Sequence, residues 1–215
     1  MTALDTAVGA LASRTVAGLE KLWQAFTAGR IDMATFQTAA AALVASANVS
    51  GGMVGTLALA ANLSTRVGGV VAPEPVPLPS WKVAPGRLEK AVETILSGSG
   101  DPRVKLSRLG RAEPVEAVQD GYTGAIARSK LLQGWIRGLE PDACELCTWW
   151  WREGRVWPKD HVMPRHKGCE CMPEPVLAAD IAETSRKGKN RSGDRVAAGM
   201  SNEWSKEWQN ATIIR

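Results

Sequence analysis

All four cysteines and both histidines of this chain fall within 28 residues, from Cys144 to Cys171. Cys144 and Cys147 form a CxxC pair, and His166, Cys169 and Cys171 form an HxxCxC. Zinc takes four N or S donors in a tetrahedron, commonly as two short-spaced pairs joined by a loop. Cys144 and Cys147 supply one such pair and His166 and Cys169 the other, with 18 residues between them. Cys171 is an alternative ligand in place of His166, or a free thiol. Five donors for four positions favour a closed, structural site over a catalytic one that leaves a position to water. The plainer reading is two pairs of reduced thiols, or disulfides formed after release from the cell.

Other chemistries fit these residues less well. A CxxC serves as a redox site where it follows a strand and opens a helix. Here it is expected between two strands and is followed by Trp149, Trp150 and Trp151. The run Asp160-His161-Val162-Met163-Pro164 resembles the DHxxP step of HNH endonucleases, where the histidine is a general base. Those enzymes complete their metal site with a later Asn and His, whereas this chain has no histidine after His166. Without further ligands no cation is held for phosphoryl chemistry. The tryptophan run could stack bases. As a strand it would instead pack Trp149 and Trp151 on the core and leave Trp150 outward as an interface residue.

The elements that position these residues follow from periodicity. Leu4, Val8, Leu11, Leu19, Leu22 and Phe26 form one stripe of a long amphipathic helix ending near Gly29. Asp32 caps a second, Ala-rich helix that Gly51-Gly52 should break, with a third from Met53 to Arg66. Residues 1–66 thus read as a helical hairpin or small bundle. Residues 67–85 place proline at positions 73, 75, 77, 79 and 85, an extended spacer. Residues 86–176 read as a small α+β domain. It opens with a helix through Leu88, Val92 and Ile95 that stops at Ser97-Gly98. Asp101-Pro102 starts another that should end near Gly110, and Pro114 should open the next. Leu131 to Leu139 is a strand centred on Trp135. Trp149–Trp151 and Val156-Trp157 should form a Trp-rich β-hairpin around Glu153-Gly154. Residues 177–215 are a basic tail with a last helical segment bearing Trp204 and Trp208.

Nine Trp against two Phe and one Tyr, with both Phe early and most Trp late, suggest separate cores for the two halves. The net charge of +4 owes much to Arg186, Lys187, Lys189, Arg191 and Arg195. Such a run is ordinarily a solvated tail; the alternative is a phosphate-binding arm. No basic-then-apolar leader opens the sequence, and no apolar run approaches the length that spans a bilayer. A soluble protein made in a reducing cytoplasm is expected, where clustered cysteines favour metal over disulfides.

From about Val115 to Pro175 the chain resembles the Mu F-like minor head proteins of tailed bacteriophages. The residues that carry the resemblance are Trp135, Cys144, Cys147, Gly154, Pro164, His166, Cys169, Cys171 and Pro173. The chain reads HKGCEC where the family usually reads HPNCRC. The resemblance implies a non-enzymatic minor capsid protein for head morphogenesis, made in the host bacterial cytoplasm and carried in the virion interior. It implies contact with the portal or major capsid protein through the N-terminal helices. On this reading the basic tail faces packaged DNA, and neither membrane nor small-molecule substrate is involved.

Overall fold

The computed structural model describes residues 3–139, 142–166 and 168–178. In chain order these form α1 (Ala3–Thr27), α2 (Met33–Val67), α3 (Ser80–Val83), α4 (Pro85–Ser97), α5 (Pro102–Arg128), β1 (Leu132–Arg137), α6 (Glu145–Trp151), β2 (Trp157–Pro158) and β3 (Pro173–Leu177). The architecture is α+β, mostly helical, with one small antiparallel sheet. The basic run Arg186 to Arg195 and the segment around Trp204 and Trp208 lie outside the described residues.

α1 ends as expected. Gly29 adopts φ 68°, its N–H bonds the Phe26 carbonyl, and the Arg30 N–H returns to Ala25. A left-handed residue reverses the chain here, and glycine does so without steric cost. Asp32 caps α2 by accepting from the Thr35 N–H at 2.8 Å. Phe36 then stacks on Phe26 with ring centroids 5.2 Å apart. Leu19, Phe36, Leu88, Val92 and Leu106 bury one core between α1, α2, α4 and α5. Asp101 caps α5, accepting from the Arg103 N–H at 2.8 Å.

Two expected breaks are absent, and both mark helix crossings. α2 runs unbroken through Gly51-Gly52. A Cβ on Gly55 would lie 2.2 Å from the Val118 carbonyl oxygen, and one on Gly121 would lie 2.1 Å from that of Gly52. Glycine costs each helix about 1 kcal/mol against alanine, but here it lets the α2 and α5 backbones touch. α5 likewise passes through Gly110 and Pro114. Proline cannot donate to the carbonyl four residues earlier, that of Gly110, a loss of about 3 kcal/mol in an isolated helix. Packing on both sides retains the helix: Gly110 admits Leu19 of α1, and Pro114 lies against Gly51 of α2.

No charged residue lies between Asp32 and Arg66. Contrary to the sequence expectation, α2 is therefore long and apolar enough to cross a membrane by length and composition. A core helix passes the same test, and 44% of the qualifying window is buried inside the bundle.

The Pro-rich segment is extended, as its prolines require, yet it does not separate two cores. Leu78 packs on Gly52 and Val76 on Gly124, and the Arg128 guanidinium donates to the Pro75 carbonyl at 2.7 Å. It is a strap across α2 and α5. At its end α3 delivers Lys82, 1% exposed, into a buried ionic network. Lys82 Nζ stands 2.6 Å from Glu116, while Glu113 accepts from Arg87 at 2.7 Å and from Asn48 at 2.9 Å. Buried charges persist where they are paired this way.

The sheet has the order β2-β1-β3, with β1 antiparallel to both neighbours. Trp135 pairs with Trp157, their rings stacked at 6.1 Å. The expected hairpin is not formed: Glu145–Trp151 is helix α6, and Trp157 pairs with β1 instead. The i, i+3, i+6 spacing of Cys144, Cys147 and Trp150 keeps these three on one helical face, whereas a strand would divide them between two. Accordingly Trp149 is the exposed member of the run, at 44%, and Trp150 is half-buried. The core shared by α2, α5 and the sheet includes Leu59, Leu63, Ile126, Trp135, Cys147 and Cys169.

Candidate metal centre

Three segments bring the donors together. Cys144 is the N-cap residue of α6, and Cys147 lies one turn on. The Thr148 N–H closes that turn on the Cys144 carbonyl at 3.0 Å. The loop between β2 and β3 supplies His166, Cys169 and Cys171. It turns at Gly168, φ 80°, where the Cys169 N–H bonds the His166 carbonyl at 3.1 Å. α5 holds this loop: Gln119, fully buried, donates to the carbonyls of Cys169 at 2.7 Å and Cys171 at 3.0 Å.

The donor atoms converge. Cys144 Sγ and Cys147 Sγ lie 3.2 and 3.1 Å from His166 Nε2, and Cys147 Sγ lies 3.6 Å from Cys169 Sγ. Around a tetrahedral ion with bonds of about 2.3 Å to sulfur and 2.0–2.1 Å to nitrogen, neighbouring donors stand about 3.5–3.8 Å apart. These three spacings are equal to this or slightly shorter, while Cys169 does not join Cys144 and His166 in one set of donors all within 4.8 Å of one another. Two groups form, Cys144–Cys147–His166 and Cys147–Cys169–Cys171, each with its donor atoms within 4.8 Å of one another. Cys147 belongs to both. None of the four cysteines forms a disulfide. The cluster could therefore hold a metal ion.

The thiols are tuned differently. Backbone N–H groups of Cys147 and Leu146 point toward the Cys144 sulfur and lower its pKa, without full capping geometry. Burial raises the Cys147 thiol, opposed by the N–H of Arg137. The neighbouring Cys171 side chain, then burial, raises Cys169. A bound cation reverses this, because a coordinating thiol is deprotonated outright.

Arg137 and Gln119 were not singled out from the sequence, and Trp150, expected to face outward as an interface residue, is half-buried beside the donors. Arg137 Nη2 lies 3.2 Å from Cys147 Sγ and 3.3 Å from Cys169 Sγ, and Nη1 donates to the Pro164 carbonyl at 2.8 Å. Trp150 stacks on His166 at 6.2 Å and takes the Arg137 guanidinium on its ring at 5.1 Å. The available signal was alternation: Arg137 shares the inward face of β1 with Trp135.

His161 stands outside both donor groups. Its ring stacks on Trp157 at 4.6 Å, and burial, followed by the charge of Arg155, lowers its pKa. The DHxxP histidine is thus not brought to the metal donors. The redox reading loses the ground on which it was set aside, since the CxxC does follow a strand and open a helix. What separates it from a dithiol site is the company of Cys147, which is buried against His166, Cys169 and Arg137.

No protein-family model, no curated protein and no solved structure matches this chain.

Its chemistry therefore rests on the geometry above. A metal held here would join α6 to the loop before β3, and through Gln119 to α5. Donors that close around an ion supply a clamp rather than an open coordination position.

Proposed function

We propose that this chain is a Mu F-like minor head protein of a tailed bacteriophage. It is made in the host bacterial cytoplasm, joins the portal or major capsid protein during head assembly and stays in the virion interior. It acts without catalysis. One structural zinc ion, held by Cys144, Cys147, His166 and Cys169 with Cys171 as the alternative donor, clamps its sheet region. Thiolate and imidazole donors in this number suit zinc.

One observation carries the reading: the residues of the resemblance are those that build the cluster and its frame. Trp135 centres β1, Cys144 and Cys147 open α6, His166, Cys169 and Cys171 complete the donors, and Pro173 begins β3. The partner surface falls to the N-terminal helices. On α2, Val49, Met53 and Leu57 are 49%, 60% and 52% exposed at i, i+4 and i+8, an apolar stripe on one helical face. The basic tail faces packaged DNA.

The test is recovery of the protein in purified capsids, and capture of the portal by the full-length chain. Replacing Val49, Met53 and Leu57 with serine should abolish capture while zinc content stays at one per chain. Metal-dependent nicking of plasmid DNA that disappears in His161→Ala would replace this reading with an HNH-like nuclease. Salt-sensitive DNA binding without portal capture would replace it with a zinc-ribbon DNA-binding module.

A further inference from the structure

We propose that Arg137 is the charge-compensating positioning residue of the metal centre, and that its single positive charge selects three thiolates and one imidazole, with His166 as the imidazole. This rests on the reading of the cluster as a metal site.

Arg137 is 1% exposed, and no described carboxylate forms an ion pair with it. A guanidinium keeps its charge in any protein environment, and a buried charge without an anion is strongly unfavourable. Among the described residues, the ionisable side chains that it meets are the thiols of Cys147 and Cys169, reached by one nitrogen at 3.2 and 3.3 Å. Neutral thiols are weak acceptors, whereas thiolates accept charge-assisted bonds. Two thiolates 3.6 Å apart in a buried space repel unless a cation lies beside both. One guanidinium does not balance two such anions; a bound metal, which deprotonates the thiols it coordinates, would supply the remaining positive charge.

Counting charge then chooses among the five donors. A dication bound by three thiolates and a neutral imidazole carries one net negative charge, which Arg137 cancels. Four thiolates would leave one negative charge uncompensated in the same interior. The contacts of His166 Nε2 with both Cys144 and Cys147 favour the imidazole, and Cys169, 3.6 Å from Cys147 in the group it shares with Cys171, is the thiol that a bound ion would draw in as the fourth donor. Arg137 also orients what it compensates. Anchored on β1, on the Pro164 carbonyl and on the Trp150 ring, its planar fork fixes one sulfur from α6 and one from the β2–β3 loop. Partners of this outer kind set the geometry of the metal ligands.

The experiment uses the full chain purified under reducing conditions, as wild type, Arg137→Met and Arg137→Lys. Zn2+ affinity is read by competition with a chromophoric chelator, and melting temperature is read with Zn2+ and with EDTA. Arg137→Met should still bind one zinc per chain, but about 10–100-fold more weakly. Its zinc-induced rise in melting temperature should shrink, while its EDTA-treated form melts no lower than wild type, because a buried charge lacking an anion has been removed. Arg137→Lys should recover part of the affinity, restoring the charge but not the fork. Wild-type affinity in Arg137→Met, or an equal drop in melting temperature with and without zinc, would overturn the proposal. If Arg137→Met does not fold, Arg137→Lys decides: weaker binding at unchanged EDTA melting supports it, and unchanged binding overturns it. A wild-type chain that takes up no zinc defeats the metal reading itself, a result distinct from all of these.

Discussion

Cys147 carries more of the cluster than any other side chain. Its sulfur meets His166 Nε2, Cys169 Sγ and the Arg137 guanidinium, and it belongs to both donor groups. Cys171 belongs to one and is the thiol that the charge count leaves out. The two therefore predict different outcomes for the same substitution. In protein purified under reducing conditions, Cys147→Ser should carry almost no zinc by elemental analysis, and Cys171→Ser should keep one ion per chain. Equal loss in both would place Cys171 among the ligands. These donors were legible in the sequence because cysteine and histidine are rare, and their spacing has few other uses. Arg137 and Gln119 were not, because nothing in their type distinguishes a buried arginine or glutamine from the many that face water. Only the pairing of β1 and the crossing of α5 turn them toward the thiols.

Helix boundaries taught a related lesson about small residues. Capping positions were read correctly where the side chain makes its own local bond, as at Asp32 and Asp101, or where a positive φ is needed, as at Gly29. Gly51-Gly52 and Gly110 were misread as breaks, because a glycine that ends a helix and one that admits another helix look alike until the partner is known. The α6 segment was misread for the opposite reason: three adjacent tryptophans favour a strand by propensity, and the one-sided demand of the cluster overrides it. The two kinds of helical glycine separate experimentally. Gly121→Ala would push a Cβ to 2.1 Å from the Gly52 carbonyl oxygen, whereas Gly9, within α1, has open space around it. Denaturant unfolding should show Gly121→Ala destabilised by about 1–3 kcal/mol and Gly9→Ala stabilised by roughly 0.5–1 kcal/mol. A tolerated Gly121→Ala would mean that the α2–α5 contact is looser than described.

At the scale of the whole molecule, the cysteine–histidine cluster is continuous with the helical core. Cys147, Cys169 and Cys171 share one buried cluster with Leu59 and Leu63 of α2 and Tyr122 and Ile126 of α5. Gln119 ties the cysteine loop to α5, and the Arg66 guanidinium at the end of α2 bonds the Pro175 carbonyl of β3. The sequence suggested otherwise, because its Phe and Trp are unevenly distributed and a proline run divides them. Composition records where residues lie along the chain, whereas α5, from the later part, packs against both α1 and α2 in space. Metal removal should therefore weaken the entire structure. A site saturated at 100 times its dissociation constant stabilises by about 2.7 kcal/mol, which for a chain of this size is a fall of roughly 5–10 °C on chelation. Helical circular dichroism reports mainly on α1, α2 and α5, and tryptophan fluorescence mainly on the sheet and α6. With a shared core both probes should follow one transition before and after EDTA, and shift together. If chelation moved only the fluorescence transition and left the helical one in place, the sheet region would be a separate unit and the clamp would serve it alone.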